Sequence, residues 1–237
     1  MLEVSGLHAG YGNVPVLRGI DLTAEGGEVL LVLGRNGAGK STLMRAMAGF
    51  IKPSRGTIAL GGRDLTGLAP EVVAQQGLRL VLDGHRVFPR LSVADNLRLG
   101  GVINPDRARV RELTNEVLGL FPILGEKYRA LARDLSGGQQ QMLALAQAFI
   151  GEPKVLLCDE PSLGLAHAIL PPIMAFLKRW AARGAAIVIV EQQIDLALSV
   201  ADRVLVLEQG EIALRGNAAE MTADPRLMQI YLGTGGD

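Results

Sequence analysis

Eight consecutive residues, Gly34, Arg35, Asn36, Gly37, Ala38, Gly39, Lys40 and Ser41, spell the pattern G-x-x-x-x-G-K-[ST], and Thr42 follows. An apolar run, Glu28–Leu33, precedes them and a helical stretch, Ser41–Ala48, follows, which is the context the pattern needs. Glycines at this spacing let successive backbone amides curl around a phosphate, and the start of the helix adds its positive end. Lys40 then reaches the β and γ oxygens of a nucleotide, and Ser41 offers its hydroxyl to Mg²⁺. A second apolar run, Val155–Cys158, ends in two acids, Asp159 and Glu160. Asp159 suits Mg²⁺ bound through water, and Glu160 suits a carboxylate that orients and polarises an attacking water. The competing role for this pair is an N-cap and first-turn acid for a following helix. Phosphoryl transfer to water needs both halves, and a phosphate loop alone fits a kinase, a GTPase or a helicase-like motor equally.

The elements that must position these groups are legible in the apolar pattern. Glu28–Leu33, Leu78–Leu82, Val155–Cys158, Ala185–Val190 and Val204–Leu207 read as parallel strands buried on both faces. Leu2–Leu7, Val16–Thr23 and Gly56–Leu60, separated by Gly-rich turns, read as an antiparallel element. From about Phe88 the pattern turns helical, with Ser92 as an N-cap, then Pro105–Leu118 and Gln139–Ala148; Pro225–Leu232 reads as a closing helix. The expected fold is α/β: one phosphate-loop domain over residues 1–237, with core and β sub-domain at 1–87 and 152–237 and a helical sub-domain at about 88–151.

Composition excludes several classes. The 237 residues carry 24 Lys and Arg against 24 Asp and Glu, so no polycationic surface for nucleic acid is expected. The longest uncharged stretches, Leu135 to Gly151 and Pro161 to Leu177, are 17 residues each and hold four glutamines and a Pro-Pro pair respectively, poor material for a spanning helix. Met1 to Gly12 shows no basic segment leading into an apolar one, and the lone Cys158 cannot form an internal disulfide, so a cytoplasmic setting is expected. None of His8, His85 and His167 falls in a motif, and all three are expected at the surface or in loops.

Leu135-Ser136-Gly137-Gly138-Gln139 decides among the phosphate-loop classes. It begins 95 residues after Lys40 and ends 20 before Asp159, and it resembles the signature motif of ATP-binding-cassette (ABC) ATPases. Ser136 and the Gly137 and Gly138 amides start a helix, where a γ-phosphate can bind. The resemblance runs from Leu2 to Leu232. It implies that Ser136, Gly137, Gly138 and Gln139 meet ATP bound to the loop of a second cassette, head to tail. It also implies that Tyr11, 23 residues before Gly34, stacks on adenine and that Val16 contacts the base; an ordinary sheet-surface role for Tyr11 stays open.

Arg86–Val93, Asp159–Ala166, Val190–Gln193 and Ile230–Gly233 are similar to the ATPases of branched-chain amino-acid importers, with close counterparts in transporters of urea, amides and aromatic acids. The resemblance implies an ATP- and Mg²⁺-dependent subunit on the inner face of the membrane, attached to transmembrane permease subunits. It pairs there with a sister ATPase or a second copy and is fed indirectly by a periplasmic or extracellular solute-binding protein.

Three positions depart from the general cassette pattern. Asp83 stands where most cassettes carry a Mg²⁺-contacting Gln; it can ligate the metal, or form a simple Asp-Gly turn with Gly84. Gln192 stands at the switch-histidine position and can donate one hydrogen bond to phosphate but cannot shuttle a proton, or it can simply face solvent at a helix start. Ala166 replaces an Asp that communicates between cassettes. Two other readings remain in view: a cassette ATPase acting on macromolecules, against which the single cassette and neutral charge count, and a regulatory cassette of low activity, against which Lys40, Asp159 and Glu160 count.

Overall fold

The computed structural model describes residues 1–82, 84, 87–166, 169–191 and 194–227. Two expected site residues, Asp83 and Gln192, lie outside these, as do His85, His167 and the end of the expected closing helix.

Strands β1 (Leu2–Tyr11) and β2 (Val14–Ala24) form a hairpin closed by Gly12 at φ 56° and Asn13. Glycine at the first turn position supplies the positive φ that this two-residue turn requires. The chain continues through β3 (Val29–Leu33), α1 (Lys40–Met47), β4 (Arg55–Leu60), β5 (Arg63–Asp64), α2 (Pro70–Gln75) and β6 (Leu78–Val81). A helical stretch follows: α3 (Val93–Gly100), α4 (Arg107–Leu120), α5 (Pro122–Glu126) and α6 (Gly137–Ile150). Then come β7 (Val155–Asp159), α7 (Leu170–Ala181), β8 (Ala186–Val190), α8 (Ile194–Leu198), β9 (Arg203–Glu208), β10 (Glu211–Asn217) and α9 (Ala218–Thr222).

The strands divide into an antiparallel sheet, β2-β1-β4-β5, and a larger sheet, β10-β9-β3-β8-β7-β6, in which all but β10 run parallel. Period-2 alternation sends each face of the large sheet into a different core. Val29, Leu31 and Leu33 of β3 point into one cluster with Val93, Leu97, Leu143, Phe149, Phe176 and Trp180. Leu30 and Val32 point into the other, with Leu2, Leu7, Ile20, Met44, Ile58 and Val73. The result is three layers: small sheet with α1 and α2, large sheet, and helices. The helical stretch does not close a core of its own; its apolar side chains belong to the same cluster as the large sheet.

The Gln209-Gly210 turn between β9 and β10 locks the two sheets together. Both residues have positive φ, and Arg18 of β2 donates its amide hydrogen to the Gly210 carbonyl at 2.8 Å. A Cβ at Gly210 would fall 1.8 Å from the Val16 carbonyl oxygen, so only glycine allows this approach.

Several boundaries differ from the sequence reading by one or two residues, as helix ends do. Ser92 does cap α3, accepting from the Asp95 amide. His8 lies within β1 and is half-buried rather than in a loop. Among the described residues no helix is long and apolar enough to cross a membrane.

Candidate active site

The C-terminal ends of β3, β8 and β7, neighbours in that order, deliver their loops to one edge of the large sheet, the place where open α/β sheets bind ligands. The loop after β3 is the glycine-rich segment. Gly34, Gly37 and Gly39 have φ of 155°, 81° and 107°, and Gly39 is the N-cap of α1. Cβ atoms at Gly34 and Gly39 would meet the Leu207 carbonyl oxygen at 2.3 Å and Leu17 Cδ2 at 2.9 Å, so the loop is wedged between β9 and β2. The first-turn amides of α1, having no intrahelical acceptor, face the space the loop encircles.

Val16, Asn36, Gly37, Gly39, Lys40, Ser41, Thr42 and Glu160 line one cavity of about 320 Å³. Arg35 and Ala38 lie on the other side of the loop, in a neighbouring hollow of about 310 Å³ with Leu207, Glu208 and Gln209. The Lys40 side chain is 5% exposed and folds back on the loop, its Nζ donating to the Gly34 carbonyl at 2.8 Å and the Arg35 carbonyl at 3.2 Å. Burial lowers its pKa, while the charges of Glu160 and Asp159 pull it back up. An anion seated in the loop would favour the charged amine further.

Ser41 Oγ donates to Asp159 Oδ1 at 3.2 Å, and Asp159 is 2% exposed. A hydroxyl and a buried carboxylate side by side are hard oxygen ligands of the kind Mg²⁺ takes together with phosphate oxygens and water. Glu160 holds a left-handed backbone at φ 50°, a conformation that costs free energy in any residue but glycine and clusters at functional sites.

Tyr11, at the end of β1, is half exposed and sits beside the loop rather than on the cavity wall. Its hydroxyl accepts from Arg45 Nη1 at 3.0 Å. Burial raises the phenol pKa, but hydrogen bonds to Thr42 and Arg45 and the Arg45 charge outweigh it, so the net shift is downward. This ties the half-exposed side chain to α1 through its hydroxyl.

Ser136–Gln139 start α6 well apart from this cavity in the chain. Ser136 Oγ accepts from the Gln139 amide and Gln139 Oε1 accepts from the Ser136 amide, a reciprocal capping box. Gln139 Oε1 also accepts from Lys127 Nζ at 3.1 Å. Gly138 packs on Ile169, whose Cδ1 would lie 2.6 Å from a Cβ there. None of the four lines the phosphate-loop cavity, so within one chain the signature and the loop do not form a common site.

Two contacts at the site were not legible from spacing. Glu191, directly after β8 and 1% exposed, accepts from the Ser162 amide at 2.8 Å and from Ser162 Oγ at 2.6 Å. Arg45 and Thr42 together anchor Tyr11. Glu191 carried the signal that singled out Asp159, an acid ending a buried apolar strand.

The sequence pattern of the ABC transporter family matches residues 17–163. The chain is 37% identical to a high-affinity branched-chain amino acid transport ATP-binding protein of Pseudomonas aeruginosa, over 98% of this chain and 100% of that one. It is also 37% identical to a spermidine/putrescine import ATP-binding protein of Marinobacter nauticus, over 95% of this chain but only 60% of that longer protein. Among solved structures, an ATP-binding cassette of an ABC transporter in its ADP conformation superposes with a TM-score of 0.86 at 25% identity, covering 98% of both chains. Phosphate loop, paired acids, signature helix and three-layer fold therefore agree with these likenesses, and the chain belongs to the ABC transporter family as one of its ATP-binding-cassette ATPases.

Proposed function

We propose that this chain is the ATP-hydrolysing subunit of an uptake transporter for branched-chain amino acids or closely related small solutes. The observation that carries the solute class is the 37% identity running the full length of the Pseudomonas protein; the cavity that joins Lys40, Ser41 and Glu160 supports the chemistry.

In this reading the loop amides of Gly37, Gly39 and Lys40 and the Lys40 amine bind the β- and γ-phosphates, which draw the amine off the Gly34 and Arg35 carbonyls. Ser41 and Asp159, with Asp83 as a third ligand, would hold Mg²⁺, which when bound would supply positive charge against that developing on the transferred phosphoryl group. Glu160 orients and polarises the attacking water, and Gln192 donates to the γ-phosphate without taking a proton. Tyr11 offers its exposed face to adenine and Val16 lies beneath the base. Ser136, Gly137, Gly138 and Gln139 close on the γ-phosphate of a paired cassette, a sister ATPase or a second copy, which accounts for their separation from the loop of their own chain. Phosphate binding thus closes the pair, and hydrolysis with product release reopens it.

Permease subunits dock beside Asp83 and the Arg86–Leu91 segment, where Phe88 and Leu91 are exposed, and on a groove of about 360 Å³ lined by Ala48, Phe50, Ala74, Leu78, Leu80 and Ile103. The chain then works on the inner membrane face, with a solute-binding protein delivering cargo to the permease. Two experiments test the proposal. Phe50→Asp is expected to abolish co-purification with the permease subunits while leaving nucleotide binding intact; unchanged co-purification refutes the docking face. In the reconstituted complex, leucine-loaded binding protein is expected to stimulate hydrolysis more than urea- or amide-loaded protein; the reverse order refutes the solute class.

A further inference from the structure

We infer that Glu191 is a positioning residue for hydrolysis, holding Glu160 in its strained conformation through Ser162. The inference rests on the assignment of Glu160 as the carboxylate that polarises water.

Three hydrogen bonds lace the turn after β7 to the end of β8. The Glu160 amide donates to the Val190 carbonyl at 2.9 Å, extending the ladder one residue past the Asp159 and Val190 pair. The Ser162 amide donates to Glu191 Oε1 at 2.8 Å, and Ser162 Oγ donates to Glu191 Oε2 at 2.6 Å. Between these anchors lie only Glu160, at φ 50°, and Pro161. A left-handed non-glycine residue persists only where its surroundings over-determine it, and here the segment is pinned on both sides to the same strand end.

Glu191 and Ser162 are 1% and 2% exposed. A carboxylate so deeply buried is costly unless its oxygens are satisfied, and an apolar residue ending β8, like the five before it, would avoid that cost. What the carboxylate supplies that an apolar residue does not is a bidentate grip on the amide and hydroxyl of the residue two beyond Glu160. Losing the grip leaves the Ser162 amide without its acceptor, and the turn relaxes toward conformations that carry the Glu160 carboxylate away from the loop.

The test uses the full-length protein, steady-state ATP hydrolysis, fluorescent-ATP affinity and single-turnover phosphate release. Glu191→Ala is expected to lower kcat about 30-fold, in the range that sub-ångström to 1 Å misplacement costs, with KM and affinity changed less than about twofold. Glu191→Gln, which can accept from the Ser162 amide and donate to its hydroxyl, is expected to stay within about threefold of the unmodified protein. Ser162→Ala, losing one bond of two, should fall between them and add nothing to Glu191→Ala in the double variant. If Glu191→Ala does not fold, Ser162→Ala and Glu191→Gln carry the test alone, the first lowering kcat and the second largely sparing it.

A kcat within twofold of normal for both Glu191→Ala and Ser162→Ala overturns the inference. So does a loss that falls on affinity rather than on kcat, or full additivity in the double variant. Glu160→Gln separates the two levels: if it still hydrolyses ATP, the assignment of Glu160 fails. If it is inactive while Glu191→Ala is normal, only the positioning role fails.

Discussion

Gly39 offers the sharpest comparison between backbone conformation and packing at the phosphate loop. Its φ of 107° and ψ of 6° at the N-cap of α1 are outside the regions L-residues favour, and a sparsely populated backbone state costs about 1–3 kcal/mol. A methyl group there would also sit 2.9 Å from Leu17 Cδ2, 3.3 Å from Val16 Cγ1 and 3.4 Å from Leu207 Cδ2. Leu17 and Leu207 are buried in the core and cannot swing aside, so overpacking adds about 1–3 kcal/mol. Gly39→Ala is therefore expected to cost about 4 kcal/mol, or roughly 12 °C in Tm for a chain of this size. Gly37→Ala is the matched control: φ is 81°, but nothing lies within 4 Å of its Cβ position. It should lose only the backbone part, about 1–2 kcal/mol or roughly 5 °C. Both variants disturb the phosphate cradle and both lose nucleotide affinity, so stability, read by urea and thermal unfolding without nucleotide, is the discriminating assay. Equal losses for the two variants would refute the argument that Val16, Leu17 and Leu207 hold the loop from behind.

Two further outcomes follow from buried polar groups. Asn96 is fully buried, its Oδ1 accepting from the Phe88 amide at 2.8 Å and its Nδ2 donating to the Phe88 and Ser92 carbonyls at 3.0 and 2.9 Å. Asn96→Ala orphans these groups and should cost about 2–4 kcal/mol in urea unfolding; an unchanged midpoint would show that the network adds nothing. Cys158 is fully buried, and burial first, then the charges of Glu191 and Asp159, push its thiol above the ordinary range. The folded state therefore keeps the proton to higher pH than the unfolded chain. Stability from this group is complete below the unfolded thiol's pKa and declines as pH rises past it. Cys158→Ala should remove that alkaline decline, and iodoacetamide should label Cys158 only upon unfolding; labelling of the folded protein at pH 9 would contradict the burial.

The phosphate loop was legible because its chemistry is written in the backbone. Glycines at positive φ, a lysine and a hydroxyl must follow a buried strand, and that demand survives any tertiary detail. The five core strands were legible for a similar reason, since burial leaves nearly continuous apolar runs, which in β6 the half-buried Arg79 interrupts. Edge strand β10 was not, because Glu211–Asn217 alternates between exposed and half-buried residues and its apolar signal is confined to Ile212 and Leu214. Helix α7 was missed although Leu170, Ile173, Met174, Leu177 and Trp180 keep a helical spacing and Pro171 and Pro172 mark its start, because the apolar residues that precede it blur the boundary. The Glu191 and Ser162 contact spans 29 residues and exists only because β7 pairs with β8, a tertiary fact that local pattern does not encode. Tyr11 illustrates the same limit: its position was readable, but its tether to Arg45 depends on how β1 crosses α1.

The most direct test of the account is the light-scattering mass of the Glu160→Gln protein during prolonged incubation with Mg-ATP. If Glu160 polarises the attacking water and Ser136–Gln139 close on the phosphate of a second copy of this chain, the mass doubles and stays doubled, because the bound ATP is not consumed. A dimer that falls apart at the rate seen for the unmodified protein, with phosphate released in step, would contradict the assignment of Glu160.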